Sequence, residues 1–278
     1  MANSINFNQN AAQALAALNY TNSQLNAVQK QISTGYAVAD AFDNGAAFAI
    51  AQSLRSDMAA IAAVNGSLSA MGGLLQITNA AVTGVSDALT TIRSTLTQLS
   101  DPNVTGSSRT QLISQYSALQ ASVSNYIMQA NYRDKNLISA NSANVSVIQD
   151  VFANQYTVNA KDLTANVTNR LLGVSDSTGA SRLLTGGFVA AQNFVGMALG
   201  SFSASADYIS RQITFNSNVS DAITGGISAL VDADMVKASA VLESLKVRQQ
   251  LGVQSLGIAN QQPQILLNLF NAVSSSFR

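Results

Sequence analysis

The sequence of 278 residues contains no cysteine, no histidine and no tryptophan. Without a thiol there is no cysteine nucleophile, no disulfide and no Cys/His zinc site. Without imidazole, the side chain that most often moves protons near pH 7 is missing. Carboxylate and lysine chemistry stay open, yet no stretch assembles a nucleophile, a base and an oxyanion site. No catalytic, cofactor-binding or metal-ligating residue is therefore assigned, and the chain is read as a non-enzyme with no cofactor. Charge is also scarce, at 10% of residues against about 25% in ordinary globular chains. The 14 basic and 14 acidic side chains cancel, so no field exists to gather nucleic acid. Prolines are only Pro102 and Pro263, which leaves the long stretch between them free of that helix breaker. The first residues lack the basic start and apolar run of a secretory signal. Their Asn and Gln content argues against a membrane span. Export is expected to use a route that reads no cleavable signal.

What the chain does have is hydrophobic residues, 47% of the total, arranged with helical period. One seam runs Phe7, Ala11, Ala14, Leu18, Thr21, Leu25, Val28, Ile32, in steps of four and three. That is the 3.5-residue repeat of packed helices. Thr34-Gly35 reads as a helix stop, and Gly35 to Gly45 as a loop in which Asp43 or Asn44 can cap the next helix. The second seam is Ile61, Val64, Leu68, Met71, Leu75, Thr78, Val82, Val85, Leu89, Ile92, Leu96, Leu99. It passes the Gly72-Gly73 doublet without losing register, so one continuous helix is expected from about residue 47 to residue 100. Asp101-Pro102-Asn103 ends it. A third seam, Leu112, Tyr116, Leu119, Val123, Tyr126, Ala130, returns antiparallel after a short loop.

Residues 141–187 change character. Val145 to Ile148 and Phe152 to Val158 alternate as short strands do, and Ser, Thr, Asn and Gly clusters surround them, so one or two β-hairpins are expected there. Helical spacing resumes with Phe194, Met197, Ser201, Ala204, Tyr208, Arg211, Phe215, Asn218, Ala222, and Gly225-Gly226 is expected to interrupt it. The last seam is Val231, Met235, Ala238, Leu242, Leu245, Gln249, Gly252, Leu256, Ala259, Pro263, Leu266, Phe270, Val273, Phe277. Pro263 predicts a kink or interruption. Asp232 and Asp234 read as helix-capping residues, since two carboxylates two apart fall short of a calcium ligand set. Glu243 with Lys246 or Lys237 reads as an ordinary helix-face charge set.

The two ends share an omission. Residues 1–29 and 249–277 contain no Asp, Glu, Lys or Arg. At the overall charge content a window of that length would hold about three. A solvated helix of a lone coiled coil displays charge on its outer positions. Here side-chain amides stand instead, and apolar residues (Leu251, Val253, Ile258, Ile265, Leu267, Leu269) spill off the seam. Burial of both ends among neighbouring copies accounts for this, since a head-to-tail contact that does not close builds a helical filament. A monomeric or dimeric bundle with poorly charged ends is the alternative.

The opening Met1-Ala2-Asn3-Ser4-Ile5-Asn6 and the run Gln31-Ile32-Ser33-Thr34-Gly35 leading to Asp43-Asn44-Gly45-Ala46 resemble a bacterial flagellin. So does the ending Gln249 to Leu256, with Ala259-Asn260-Gln261-Gln262-Pro263-Gln264 and Leu269-Phe270. Leu230 to Asp234 points to the short alphaproteobacterial type. Gln31 stands where the family usually has arginine, and Asn271 to Arg278 extend beyond its usual end. The resemblance implies a mainly α fold: a long coiled-coil or helical-bundle rod with a small β-hairpin region. Its termini pair as a coiled-coil core, residues 1–34 with 241–278, joined through a spoke loop at 35–44. Residues 45–138 and 190–240 would be rod helices, and 139–189 the β-hairpin and variable outer region. Leu18, Leu25, Val28, Ile32, Leu256, Leu266 and Phe270 would pack the filament core, and Leu68, Leu75, Leu89, Leu112 and Leu119 the rod. The implied function is that of a subunit self-assembling into the flagellar filament for swimming, with a hook–filament junction protein as the alternative. Implied partners are further copies of the chain, the flagellar type III export apparatus, and the cap and hook-junction proteins. Nucleic acid and membrane are not among them, and the implied location is extracellular; separately from the resemblance, the abundant Ser and Thr of the middle segment offer sites for O-linked glycans.

Overall fold

The computed structural model describes residues 8–276. Among these described residues six α-helices and one two-stranded antiparallel sheet follow in the order α1 (Gln9–Thr34), α2 (Ala41–Leu99), α3 (Gly106–Gln129), β1 (Val145–Ile148), β2 (Gln155–Val158), α4 (Ser177–Thr185), α5 (Gly187–Val231) and α6 (Met235–Ser276). The fold is mainly α. The chain divides into two compact units, Met1–Arg55 with Ile223–Arg278, and Ser56–Ala222.

In the unit Ser56–Ala222 the second seam supplies the core. Its apolar positions from Ile61 to Leu99 are all buried. Thr78 is buried with them because its hydroxyl donates to the Leu74 carbonyl at 2.8 Å, within its own helix. Leu68, Leu75 and Leu89 lie in this core, whereas Leu112 and Leu119 of α3 are half-buried against it. α2 runs continuously through Gly72-Gly73, and the doublet has a use. A Cβ at Gly73 would sit 3.3 Å from the Tyr132 ring, so its absence lets the segment after α3 lie close. Gly84 does the same for Tyr126, whose ring would be 2.9 Å from an added Cβ. This explains a local departure. The α3 seam passes through buried Ile127, and Tyr126 lies over Gly84 with much of its ring exposed.

One β-hairpin forms, with Val145 opposite Val158 and Ile148 opposite Gln155. Asp150 closes its tip by accepting from the Phe152 and Asn154 amides at 2.9 and 3.0 Å. The sheet is tied to α5 by stacking of Tyr156 on Tyr208, with centroids 4.2 Å apart. Buried Asn216 donates to Asn65 Oδ1 at 3.0 Å and to the Gln149 carbonyl at 3.3 Å. No second hairpin forms: residues 164–171 make a short helical turn and Ser177–Thr185 is α4. Asp176 caps α4 by accepting from the Gly179 amide at 2.6 Å, an N-cap hidden inside a Ser/Thr/Gly run that reads as loop.

Two expectations fail in α5. The helix is not interrupted at Gly225-Gly226: glycine costs only about 1 kcal/mol each in a helix, and Ile227 and Val231 just beyond the doublet are buried. The seam itself is rotated. Phe188, Ala191, Val195, Ala198, Phe202, Ser205, Ile209 and Asn216 are buried, whereas Met197, Tyr208 and Phe215 are exposed. By length and composition, α2 and the stretch Ser177–Val231 could cross a membrane, with mean hydropathy reaching 1.5 and 1.3. Their packed seams are those of core helices.

Candidate functional site

The unit formed by the two ends is built on α1 and α6, which run antiparallel. Asn8 pairs with Ala259, Leu18 faces Gly252, and Asn22 pairs with Gln249, so numbering rises along one helix as it falls along the other. Asn8 opens α1 from an extended backbone, its Oδ1 accepting from the Ala11 amide at 3.1 Å and its Nδ2 donating to the Ala259 carbonyl at 2.6 Å. Leu25 is buried on the shared face, and Leu18, Val28, Ile32 and Leu256 are half-buried there, with Leu245 and Ala259 buried opposite. Gly252 makes room for Leu18, whose Cδ1 would be 3.2 Å from an added Cβ. The side chains of Leu266 and Phe270, like Phe7 and Phe277, lie outside the described residues. α6 continues unbroken through Pro263.

A loop closes this unit. Gly35 ends α1 with φ +77°, and its amide donates to the Gln31 carbonyl at 2.8 Å, a left-handed cap that glycine takes without steric cost. The chain then runs beside the α5–α6 junction: Ala37 N–H donates to the Val231 carbonyl at 2.8 Å, and Ala233 N–H to the Gly35 carbonyl at 2.9 Å. Asn44, with φ −160°, is the cap that separates the first turn of α2 from the rest, accepting from the Ala47 amide at 3.1 Å. Asp234 caps α6 through the Val236 and Lys237 amides at 3.1 and 3.0 Å.

Lys30, the first charged side chain in the sequence, clasps this loop. Its Nζ lies 2.7 Å from Asp40 Oδ2 and 2.8 Å from Asp43 Oδ1. Those carboxylates also accept from the loop backbone, Asp43 Oδ2 from the Ala39 amide at 2.9 Å and Asp40 Oδ1 from the Phe42 amide at 2.9 Å. The hydrogen bonds from Lys30 hold both carboxyls below the usual 3.8, and those to Asp40 and then Asp43 raise Lys30 above 10.5. Folded carboxyl values below the unfolded one mean that this stabilisation is present above pH 3.8 and is lost as pH falls through the depressed values. The raised lysine means that it is fully present below pH 10.5 and is lost as pH rises through the folded value. Amide protection at Ala39 and Phe42, corrected for intrinsic exchange, is therefore expected to be flat near neutrality and to fall on acidification below that carboxyl range. Lys30→Gln should lower it already at pH 7, and unchanged protection in that variant would show the clasp to be idle. Glu243 and Lys246 form an exposed pair at 3.6 Å, of the kind that contributes little.

Both units expose apolar side chains in rows. Leu15, Leu251, Val253 and Ile258 are exposed on the terminal pair, Leu251 at 58% and Ile258 at 67%. Along α5 the exposed face carries Met197 at 65% and Phe215 at 59%, with Val189 and Tyr208 between and beside them. Met197, Tyr208 and Phe215 belong to the helical seam read from the sequence, whereas Leu251, Val253 and Ile258 lie off it, and all of them are exposed among the described residues. Among the described residues no group of three or more acidic side chains gathers to hold a metal. The arrangement presents apolar surfaces open to association.

Comparison with known proteins agrees with this character. Residues 5–143 match the bacterial flagellin N-terminal helical region, and residues 195–270 match the bacterial flagellin C-terminal helical region. Flagellin FljK of Caulobacter vibrioides is 31% identical over 269 residues, covering 96% of this chain and 98% of that protein. A flagellin of Brucella melitensis is 32% identical, covering 96% and 99%. Among solved structures, the crystal structure of Bacillus cereus flagellin aligns with a TM-score of 0.51 over 54% of this chain and 88% of that one. Its sequence identity is 15%, so this likeness speaks to the fold alone. With both terminal regions matched and relatives aligned over nearly its full length, the chain belongs to the bacterial flagellin family.

Proposed function

We propose that this chain is a structural subunit that self-assembles into the helical filament of a bacterial flagellum, and that its work is mechanical. The observation that carries this is the terminal pair: two long helices without charge over residues 9–29 and 249–276, leaving large apolar side chains in water when the chain stands alone. Each exposed aliphatic side chain that a neighbouring copy covers gains about 1.5–3 kcal/mol of transfer free energy. Amides at the remaining positions pair across copies without the desolvation cost of charge. The terminal pair is assigned to the filament core, with Leu18, Leu25, Val28, Ile32, Leu256, Leu266 and Phe270 as its packers. Leu68, Leu75, Leu89, Leu112 and Leu119 are assigned to the rod. Electron microscopy of material sheared from cells that make this chain alone should show long filaments. A thin ring or short cap of subunits would instead indicate a junction protein.

The exposed α5 face supplies a second contact between copies. Phe215→Asp should leave the melting temperature of the monomer nearly unchanged, since substitutions at exposed positions usually stay within about 0.5 kcal/mol. It should sharply reduce the polymer that sediments. Normal polymerisation of this variant would remove α5 from the contact. Export through the flagellar type III channel and growth beneath a cap, starting from hook-junction proteins, follow as the route and partners of such a subunit. An extracellular location follows with them. Thr178, Ser181 and Thr185 are exposed on α4 and are where O-linked glycans would attach.

A further inference from the structure

Pro263 has no N–H, so within α6 it cannot donate to the carbonyl four residues earlier, that of Ala259. An interior carbonyl deprived of its helical donor, on a residue as buried as Ala259, requires another. It has one in Asn8, whose Nδ2 reaches that oxygen at 2.6 Å across 251 positions of sequence. The other end of the same amide caps α1 at Ala11. One side chain thus starts one helix and completes the other.

We propose that Asn8 and Pro263 together fix the register of the terminal helix pair. The loop hydrogen bonds of Ala37 to Val231 and Ala233 to Gly35 hold the end of α1 beside the start of α6; beyond that loop, along the helices themselves, the rest of the contact does little to do so. Its facing positions are mostly aliphatic or small (Ala, Gly, Thr, Leu, Val and Ile), repeated at heptad steps, and over residues 9–29 of α1 no Asp, Glu, Lys or Arg selects a partner. A seam of this kind can slide by a turn, and a single polar position is a known means of preventing it. The other amide contact, Gln249 Nε2 to Asn22 Oδ1 at 2.7 Å, is not selective, because Asn19 and Asn26 offer the same oxygen about one turn either way. The Ala259 carbonyl is different. Pro263 is the only proline of α6, so only one interior carbonyl of that helix is without a helical donor. A slip moves Asn8 against a carbonyl already in use and leaves that of Ala259 empty. In the assembly proposed above, on which this consequence rests, every subunit must present the same alignment to its neighbours.

The absence of cysteine makes the register directly readable. An added Cβ at Gly252 would lie 3.9 Å from Leu18 Cβ, within the range that a disulfide spans. Leu18→Cys with Gly252→Cys therefore reports the native register, and Leu18→Cys with Leu256→Cys a slip of about one turn. Oxidation of the full chain, with the cross-link within one chain resolved on a denaturing gel, gives the ratio of the two. Asn8→Ser keeps a cap and removes the donor, and it should lower the native-to-slipped ratio by about tenfold, the scale on which one buried carbonyl loses its partner. Pro263→Ala restores the helical donor, makes Ala259 equivalent to other positions, and should lower the ratio similarly. Combining the two should lower it no further. Asn8→Asp, which keeps the cap but sets an oxygen against an oxygen, should act at least as strongly as Asn8→Ser. A ratio indifferent to either single change, or two effects that multiply, would overturn the proposal. Failure of the unsubstituted chain to form filaments would count against the assembly reading alone, because the cross-link is read inside a single chain.

Discussion

A chain ending at Arg248 is expected to keep the core of the unit Ser56–Ala222 and to form no filament. The clustered core residues run from Val64 to Ile209 and draw nothing from the last part of α6. Helical circular dichroism and the main cooperative melt should persist in the shortened protein, reduced by the helix removed. The ends lose their complement altogether. Leu18 loses Gly252, Asn22 loses Gln249, and Asn8 loses the Ala259 carbonyl, so α1 keeps an amphipathic face with no surface to pack on. Isolated helices in water depend on such packing more than on intrinsic propensity. Sedimentation of the shortened chain under conditions that polymerise the full one reads the result. Filaments of normal length would show that the terminal pair is dispensable and would defeat its assignment as the assembly core.

Much of this architecture is legible in the sequence, and where legibility ends is physically informative. In α1, α2 and α6 one apolar stripe makes the intrachain contact, so the three-and-four steps from Ala11 to Ile32, from Ile61 to Leu99 and from Ala238 to Ala259 fall on the side chains that the structure shields most, whereas Met235 of the last seam is exposed. α5 has two. One carries Phe188, Val195, Phe202 and Ile209, the other Met197, Tyr208 and Phe215. Both satisfy helical spacing, and periodicity alone cannot tell which one faces inward. The buried stripe also hides polar members, since Ser205 is satisfied by the Ser201 carbonyl at 2.9 Å and Asn216 by Asn65. A hydrophobicity count marks down that face although it is the packed one. The stripe chosen from sequence is the one the lone chain leaves in water. α4 was invisible for a different reason: Ser177, Thr178, Gly179 and Ser181 are weak helix formers, and the segment is helical because Ala180 and Leu183 bury on the core. The clasp at Lys30 and the contact between Asn8 and Ala259 join residues through tertiary structure, and no spacing rule announces either.

Leu75→Ala should be the most damaging single truncation of an aliphatic side chain in the unit Ser56–Ala222. Leu75 is 0% exposed in the middle of α2, among residues buried on every side. Removing three carbons there loses their transfer free energy and leaves a cavity that α2 cannot collapse, for a cost of about 2–5 kcal/mol. Leu68→Ala belongs to the same class, since Leu68 is equally enclosed. Leu112→Ala and Leu119→Ala do not. Both are half-buried on α3, so part of the lost contact is already with solvent and the space opened is reached by water; about half the cost of Leu75→Ala, or less, is expected. Denaturant melts of the soluble monomer separate the two classes by midpoint at constant slope. The order matters for function as well as for stability. Copies stacked along a filament must each hold the faces of their helices in place, and a cavity at Leu75 loosens the packing that positions α2 in the core. Equal midpoints for Leu75→Ala and Leu119→Ala would mean that α3 is packed as tightly as α2 in solution, and that burial along the second seam is not what orders the unit.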